Sequence, residues 1–222
     1  MMQGRLPGCQ ADPKAHVQGG GSRGRATTIR VMLGAVVGVI TAALLASMVM
    51  LVTAAVADLG VASADAAKCR WAHRGPRHVS PSHARHAVVC QINKKRRKHG
   101  LKAVNTKYAL RKAGRRHSTY MQRHNCFAHQ CAGERDLVGR IYATSYLPCN
   151  CTWRVGETLA WGARGLGTPR AIVKAWMHSY AHRHVILDRR LRNVGIGLVW
   201  GSPSNPGARA ATYTADFGLK QG

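Results

Sequence analysis

Acidic side chains are scarce in this chain. Its 222 residues carry 8 Asp and Glu against 34 Lys and Arg, for a formal charge of +26. Glu134 and Glu157 are its only glutamates. So basic a chain is attracted to polyanions: nucleic acid, acidic wall polymers or anionic lipid headgroups. Other absences narrow that choice. No Gly-x-Ser-x-Gly elbow surrounds Ser179, the serine nearest the histidines, which leaves a serine hydrolase without support. No helix-turn-helix or finger pattern appears, and aromatics are not interleaved with the basic runs, which argues against specific nucleic-acid readout. No internal repeat is visible. Charge is missing altogether from residues 31–57.

That uncharged stretch follows Arg23, Arg25 and Arg30 and precedes the small-residue sites Ala55-Val56-Ala57 and Ala62-Ser63-Ala64. A basic start, an apolar core and an A-x-A site read as an export signal. The stretch also exceeds the ~20 residues that span a bilayer, so a cleaved signal and an uncleaved anchor both fit. In either case the positive-inside rule places the C-terminal part outside the cell, secreted or tethered. Cysteine usage agrees. Cys9 lies in the lead, while Cys69, Cys90, Cys126, Cys131, Cys149 and Cys151 lie in the exported part. An even set in an oxidising compartment suits disulfides, with connectivity open. A Cys69–Cys90 bridge would tie the segment before the first helix to that helix. Cys126, His129, Cys131, Cys149 and Cys151 also suggest zinc, but C-x-C and C-x4-C match the usual knuckle poorly.

Residues 1–30 read as a disordered basic N-terminus, 31–67 as signal peptide or signal-anchor, 68–81 as a basic linker, and 82–222 as the folded domain. Ser82 can cap a helix to about His99, with Ala84, Val88 and Ile92 inward and Gly100 as terminator. A second helix starts near Asn105 or Thr106, with Leu110, Ala113, His117 and Met121 inward. Asp136 to Thr144 reads as a short third helix. Val155 to Trp161 is a strand. Thr168-Pro169 opens a fourth helix with Ile172, Val173 and Trp176 on one face. Val194, Ile196, Leu198 and Trp200 alternate, as do Ala211, Tyr213, Ala215 and Phe217, on either side of the turn Gly201 to Gly207. Helices followed by an antiparallel hairpin predict an α+β fold.

Glu157 lies in VGETLAWG, an apolar, glycine-flanked run that predicts a buried strand. A buried carboxylate costs several kcal/mol unless paired. WMHSYAHRHVIL follows, placing histidines beside another apolar stretch. His129, Glu157, Ser179 and His182 are therefore the candidate cleft, with His129 and His182 as candidate ligands of zinc or another divalent cation. Glu157 and Ser179 are the candidates for acid/base or nucleophilic work. A purely structural hydrogen-bond network around Glu157 fits the same residues. His117 reads as a satisfied core histidine, and His178 and His184 as outward-facing. Asp216-Phe217-Gly218 reads as the end of a strand.

The run Lys94 to Lys98 (KKRRK) lies on the first helix, and Lys107, Arg111, Lys112, Arg115 and Arg116 lie on or beside the second. They form either an anion-binding face or a solvated outer face. Attraction to acidic envelope polymers suits an exported chain better than nucleic acid.

CQINKKRRKHGLKAV (Cys90 to Val104), RRHSTYM (Arg115 to Met121), FAH (Phe127 to His129), GETLAWG (Gly156 to Gly162), WMHSYAHRHVIL (Trp176 to Leu187) and YTADFG (Tyr213 to Gly218) stand in the order seen in the CAP superfamily. The chain most resembles its bacterial secreted branch, the SCP-like extracellular domains, from Cys90 to Gly218. The resemblance implies a three-layer α-β-α sandwich with a small antiparallel sheet and an open cleft. In the family that cleft carries two histidines and two acids, and some members bind zinc or another divalent ion. His129, Glu157 and His182 match three positions; Ser179 stands where an acid would be, and Thr158 where asparagine is usual. Members of the family look like binding or signalling modules, lipid or sterol carriers, or in a few cases proteases. The expectation is an exported binding module for anionic wall polymer or lipid headgroups; the alternative is a metal-dependent hydrolase built on the His/Glu cleft.

Overall fold

The computed structural model describes residues 2–4, 69–147 and 152–221. The export segment, Cys9, Cys149 and Cys151 lie outside them. The elements are β1 (Met2–Gly4), α1 (Pro81–Lys98), β2 (Asn105–Thr106), α2 (Tyr108–Arg123), α3 (Leu137–Tyr142), β3 (Thr152–Ala163), a 3-10 turn (Arg164–Gly167), α4 (Pro169–His178), α5 (Tyr180–Ile186), β4 (Asn193–Trp200) and β5 (Ala210–Gln221).

Local chemistry sets most of these starts. Ser80 rather than Ser82 caps α1, accepting from His83 N at 3.2 Å, with Pro81 in the first turn. That position loses nothing by lacking an N–H. Thr168 caps α4 as expected, accepting from Ala171 N at 3.2 Å. Asp136 caps α3, accepting from Gly139 N at 2.7 Å. α2 begins at Tyr108, later than the sequence suggests, because Asn105 and Thr106 are extended and pair with β4.

The strand order is β1-β3-β5-β4-β2. β5 runs antiparallel to both β3 and β4, while β2 is parallel to β4, so the sheet is mixed rather than purely antiparallel. β1 pairs antiparallel with β3. Three residues of the segment expected to be disordered therefore form an edge strand, satisfying backbone groups that β3 would otherwise leave open; the rest of residues 1–30 lies outside the described residues. The 68–81 stretch is also more structured than a linker. Ala72 is buried, its carbonyl accepts from Arg170 N at 2.9 Å, and Trp71 stacks on His83. Among the described residues no helix is long and apolar enough to cross a membrane.

Alternation distributes side chains between two helical layers. Val194, Ile196 and Leu198 of β4 and Ala211, Tyr213, Ala215 and Phe217 of β5 pack with Ala84, Val88 and Ile92 of α1 and with Ile172, Val173 and Trp176 of α4. On the opposite face Trp153 and Val155 of β3 pack with Leu110 and Ala113 of α2 and with Leu137 and Ile141 of α3. Covering both faces buries β3 almost continuously from Trp153 to Leu159. Glu157 and Asp216 are cross-strand partners. Both belong to the face under α2, where the site is built.

Candidate functional site

α2 brings His117 and Ser118 down onto the sheet. Ser118 Oγ bonds Thr214 Oγ1 at 2.8 Å, which fixes the helix over β5. His117 is wholly buried; its Nδ1 donates to Glu134 at 2.8 Å, and its Nε2 lies 3.9 Å from Glu157 Oε2. Glu157 is reached from two further sides. His129 Nδ1 donates to Oε1 at 2.8 Å, and Arg140 donates to Oε2 at 2.6 Å. The same Arg140 guanidinium donates to the carbonyls of His129 at 2.9 Å and Arg135 at 3.0 Å, and lies 3.7 Å from Glu134. Arg140 thus clamps the His129 loop and the Glu157 strand together. The Cys126–Cys131 disulfide closes that loop around His129. Cys69–Cys90 forms as well, tying the pre-helical segment to α1.

The electrostatics follow from this arrangement. Burial acts to raise the Glu157 carboxyl, but the His129 hydrogen bond and the charges of Arg140 and His117 outweigh it and hold it below the ordinary range. Asp216 goes the other way. Burial first, then the Glu157 charge, push it well above the ordinary range. Its oxygens find no donor among the described residues, and the Glu157 carboxylate stands beside it as its cross-strand partner. The two carboxyls are thus pushed in opposite directions, Glu157 down and Asp216 up.

Linkage gives these shifts opposite signs in stability. Glu157, with its value lowered by folding, stabilises above the unfolded carboxyl value and loses that contribution on acidification. Asp216, with its value raised, binds protons more tightly in the native state, so its effect on stability worsens as pH rises above about 4. Asp216→Asn is expected to gain stability over the unsubstituted chain at pH 7 relative to the difference at pH 4. Urea unfolding at both pH values checks it; an equal difference at both would show that Asp216 is ionised in the fold.

The structure brings together His129, Glu157 and His182. The His129 and His182 ring centroids lie 6.4 Å apart. His129 is 60% exposed in its side chain, whereas Glu157 behind it is 1% exposed. Burial first, then the His129 charge, push His182 below its ordinary value. Ser179 does not join as a nucleophile: it ends α4 and caps α5, its Oγ accepting from His182 N at 3.5 Å. Its service is to aim His182. Thr158 is buried on the opposite face of β3 from Glu157. His178 and His184 face solvent, as expected.

With Nδ1 held by a carboxylate, His129 keeps Nε2 free, as metal-ligating histidines do. However, among the described residues no three His, Cys, Asp or Glu side chains converge as a metal cage requires. Among the described residues the two imidazoles supply a pair of donors without a third protein ligand beside them. Cys126 and Cys131 form a disulfide, as the exported reading favours over zinc; Cys149 and Cys151 lie outside the described residues.

Sequence reasoning underrated four groups. His117 is a buried histidine, as expected, but only half satisfied: Nδ1 bonds Glu134, while Nε2 has no hydrogen-bond partner among the described residues and lies 3.9 Å from Glu157. Arg140 sits one residue before Ile141 on the inward side of α3, and a charge on an apolar stripe was its signal. Asp216 lies within β5 rather than at its end, and pairs in register with Glu157. Glu134 carried no signal beyond its rarity.

The comparisons agree with this architecture. Residues 89–207 match the model of the CAP, or cysteine-rich secretory protein, family. The chain is 33% identical over 150 residues to the uncharacterized protein YkwD of Bacillus subtilis, covering 65% of this chain and 54% of that protein. It thus spans about half the length of this curated relative. Among solved structures, an outer surface protein of Borrelia burgdorferi is similar at a TM-score of 0.54 and 16% identity, over 64% of this chain and 97% of that one. An extracellular protein of Bacillus anthracis containing a SCP domain is similar at 0.49 and 20% identity, over 63% and 43%. With its three layers, its His129–Glu157–His182 cleft and more than half its length under the family model, the chain belongs to the cysteine-rich secretory protein (CAP) family.

Proposed function

We propose that this protein is an exported CAP domain, released or tethered outside the cell, that acts as a non-catalytic binding module for an anionic polymer or lipid of the envelope. One observation carries the reading. Among the described acids, the side chains of Glu134, Glu157, Asp188 and Asp216 are at most 8% exposed. The charge of Glu134, Glu157 and Asp188 is spent within the protein, on His117, His129, Arg140, Arg154 and Arg190. Asp136 faces water but is held by the α3 N-terminus. The solvent face is left to lysine and arginine, and a surface of one sign binds the opposite sign over long range.

Hydrolysis draws less support. Glu157, which would position water, gives both oxygens to His129 and Arg140. Ser179 is a helix cap.

Co-sedimentation of the full-length protein with anionic and with zwitterionic vesicles, and with isolated wall polymer, tests the proposal across a salt series. Binding is expected to anionic material alone and to weaken steeply as the Debye length shrinks below about 10 Å. Affinity indifferent to salt, or equal on zwitterionic vesicles, would remove it.

A further inference from the structure

The cations of this chain are not spread evenly. A groove of about 810 Å³ runs along the outer edge of β4, walled by the start of α1 on one side and by α2 on the other. β2 covers that edge only at Asn193 and Val194, so the groove begins where the pairing stops. Arg85 from α1 faces Arg111, Lys112, Arg115, Arg116 and Arg123 from α2. No carboxylate lines it. From Arg111 to Arg123 the helix rises about 18 Å, so the charges form a track rather than a point.

Holding them together is costly. Arg85 is half-buried; burial first, then the charges of Arg111 and Arg115, push its guanidinium below the ordinary value. Like charges gathered over a concave surface repel unless an anion enters, and they concentrate field there.

Two observations select the anion. Ile196 and Leu198 on the groove floor are 3% and 4% exposed, so the floor offers almost no apolar surface for peptide side chains to bury against. The rings of the groove are each partly covered: the Arg111 guanidinium lies 4.6 Å over one face of Tyr108, Tyr120 stacks on His124 at 4.0 Å, and Trp200 is half-buried. Nucleobases need free rings to stack on, and these offer few. Guanidinium forks, by contrast, match phosphate oxygens in pairs.

We propose that the α1–α2 groove is a docking track for a base-free phosphodiester chain, a polyol-phosphate polymer of the envelope, with Arg85, Arg111 and Arg115 as its principal contacts. This rests on the binding-module reading and gives it an address on the fold.

Calorimetric titration of the full-length protein with poly(glycerol phosphate) at physiological salt tests it. R111Q/R115Q is expected to lose about tenfold or more in affinity, whereas K102Q/K174Q, which removes equal charge from exposed positions elsewhere, loses about twofold or less. R85Q, on the opposite wall, is expected to lose affinity as well. Equal losses in R111Q/R115Q and K102Q/K174Q would overturn the groove while leaving a generally anion-binding surface intact. No binding of the unsubstituted chain to the polymer or to anionic vesicles would overturn both. Single-stranded DNA of matched charge that binds more tightly, with the same loss in R111Q/R115Q, would keep the groove and overturn its occupant.

Discussion

Gly197→Ala is expected to destabilise the domain by about 3 kcal/mol or more, at the upper end of overpacking effects. A Cβ at Gly197 would lie closer than 3.0 Å to Gly114 C, Gly114 O and Arg115 N of α2. A Cβ at Gly195 would meet Arg111 N and Leu110 in the same way. These are backbone atoms of a helix, which cannot swing aside as a side chain can. The strand and helix touch there because neither carries bulk, and that closeness lets His117 and Ser118 reach β3 and β5. The substitution should therefore also loosen the His117–Glu134–Glu157 cluster. Gly165→Ala is the control: a Cβ there meets nothing within 4 Å, and its effect should stay within about 0.5 kcal/mol. Chemical denaturation of both variants checks the contrast; matching midpoints would mean that the helix can lift off the sheet at little cost.

Arg96 should be equally intolerant. Its side chain lies wholly buried, and its guanidinium donates to the carbonyls of Lys102 (2.9 Å), Ile186 (2.7 Å), Asp188 (3.0 Å) and Leu191 (3.0 Å). One fork closes the end of α5 and the turn before β4 onto α1. Arg96→Met keeps much of the volume but strands four acceptors, at roughly 1–3 kcal/mol for each one that water does not reach. A total loss of about 4 kcal/mol, hence a melting temperature lower by about 10 °C, is expected. Arg96→Lys should recover only part of it, because an ammonium cannot span the same four oxygens. Calorimetric melting of the two variants decides; a Lys variant as stable as the native chain would show that charge alone, and not the fork, holds these segments.

Arg96 also marks where the sequence misleads. In KKRRK every residue is basic, and the run reads as a charged face of one kind or the other. The helix turns about 100° per residue, so a continuous basic run must send one member inward. Ala84, Val88 and Ile92 fix the inward stripe, and four residues beyond Ile92 the stripe arrives at Arg96. The position was readable; three of its four partners, some ninety residues away, were not. Glu157 was legible for the opposite reason, as a lone acid in an apolar strand. Asp216 was hidden because its meaning depends on cross-strand register rather than on neighbours in the chain. The start of α2 was misplaced because a two-residue pairing with β4 claimed Asn105 and Thr106. The order of the six motifs carried the fold, since each sits on an element whose period or cap is strong.

The small ring between Cys126 and Cys131 ties the placement of His129 to a moment in the protein's life. Before its sulfurs join, only side-chain hydrogen bonds hold that imidazole against Glu157. On the exported reading proposed above, the cleft is completed only where an oxidant is at hand, by chemistry that a reducing cytosol withholds.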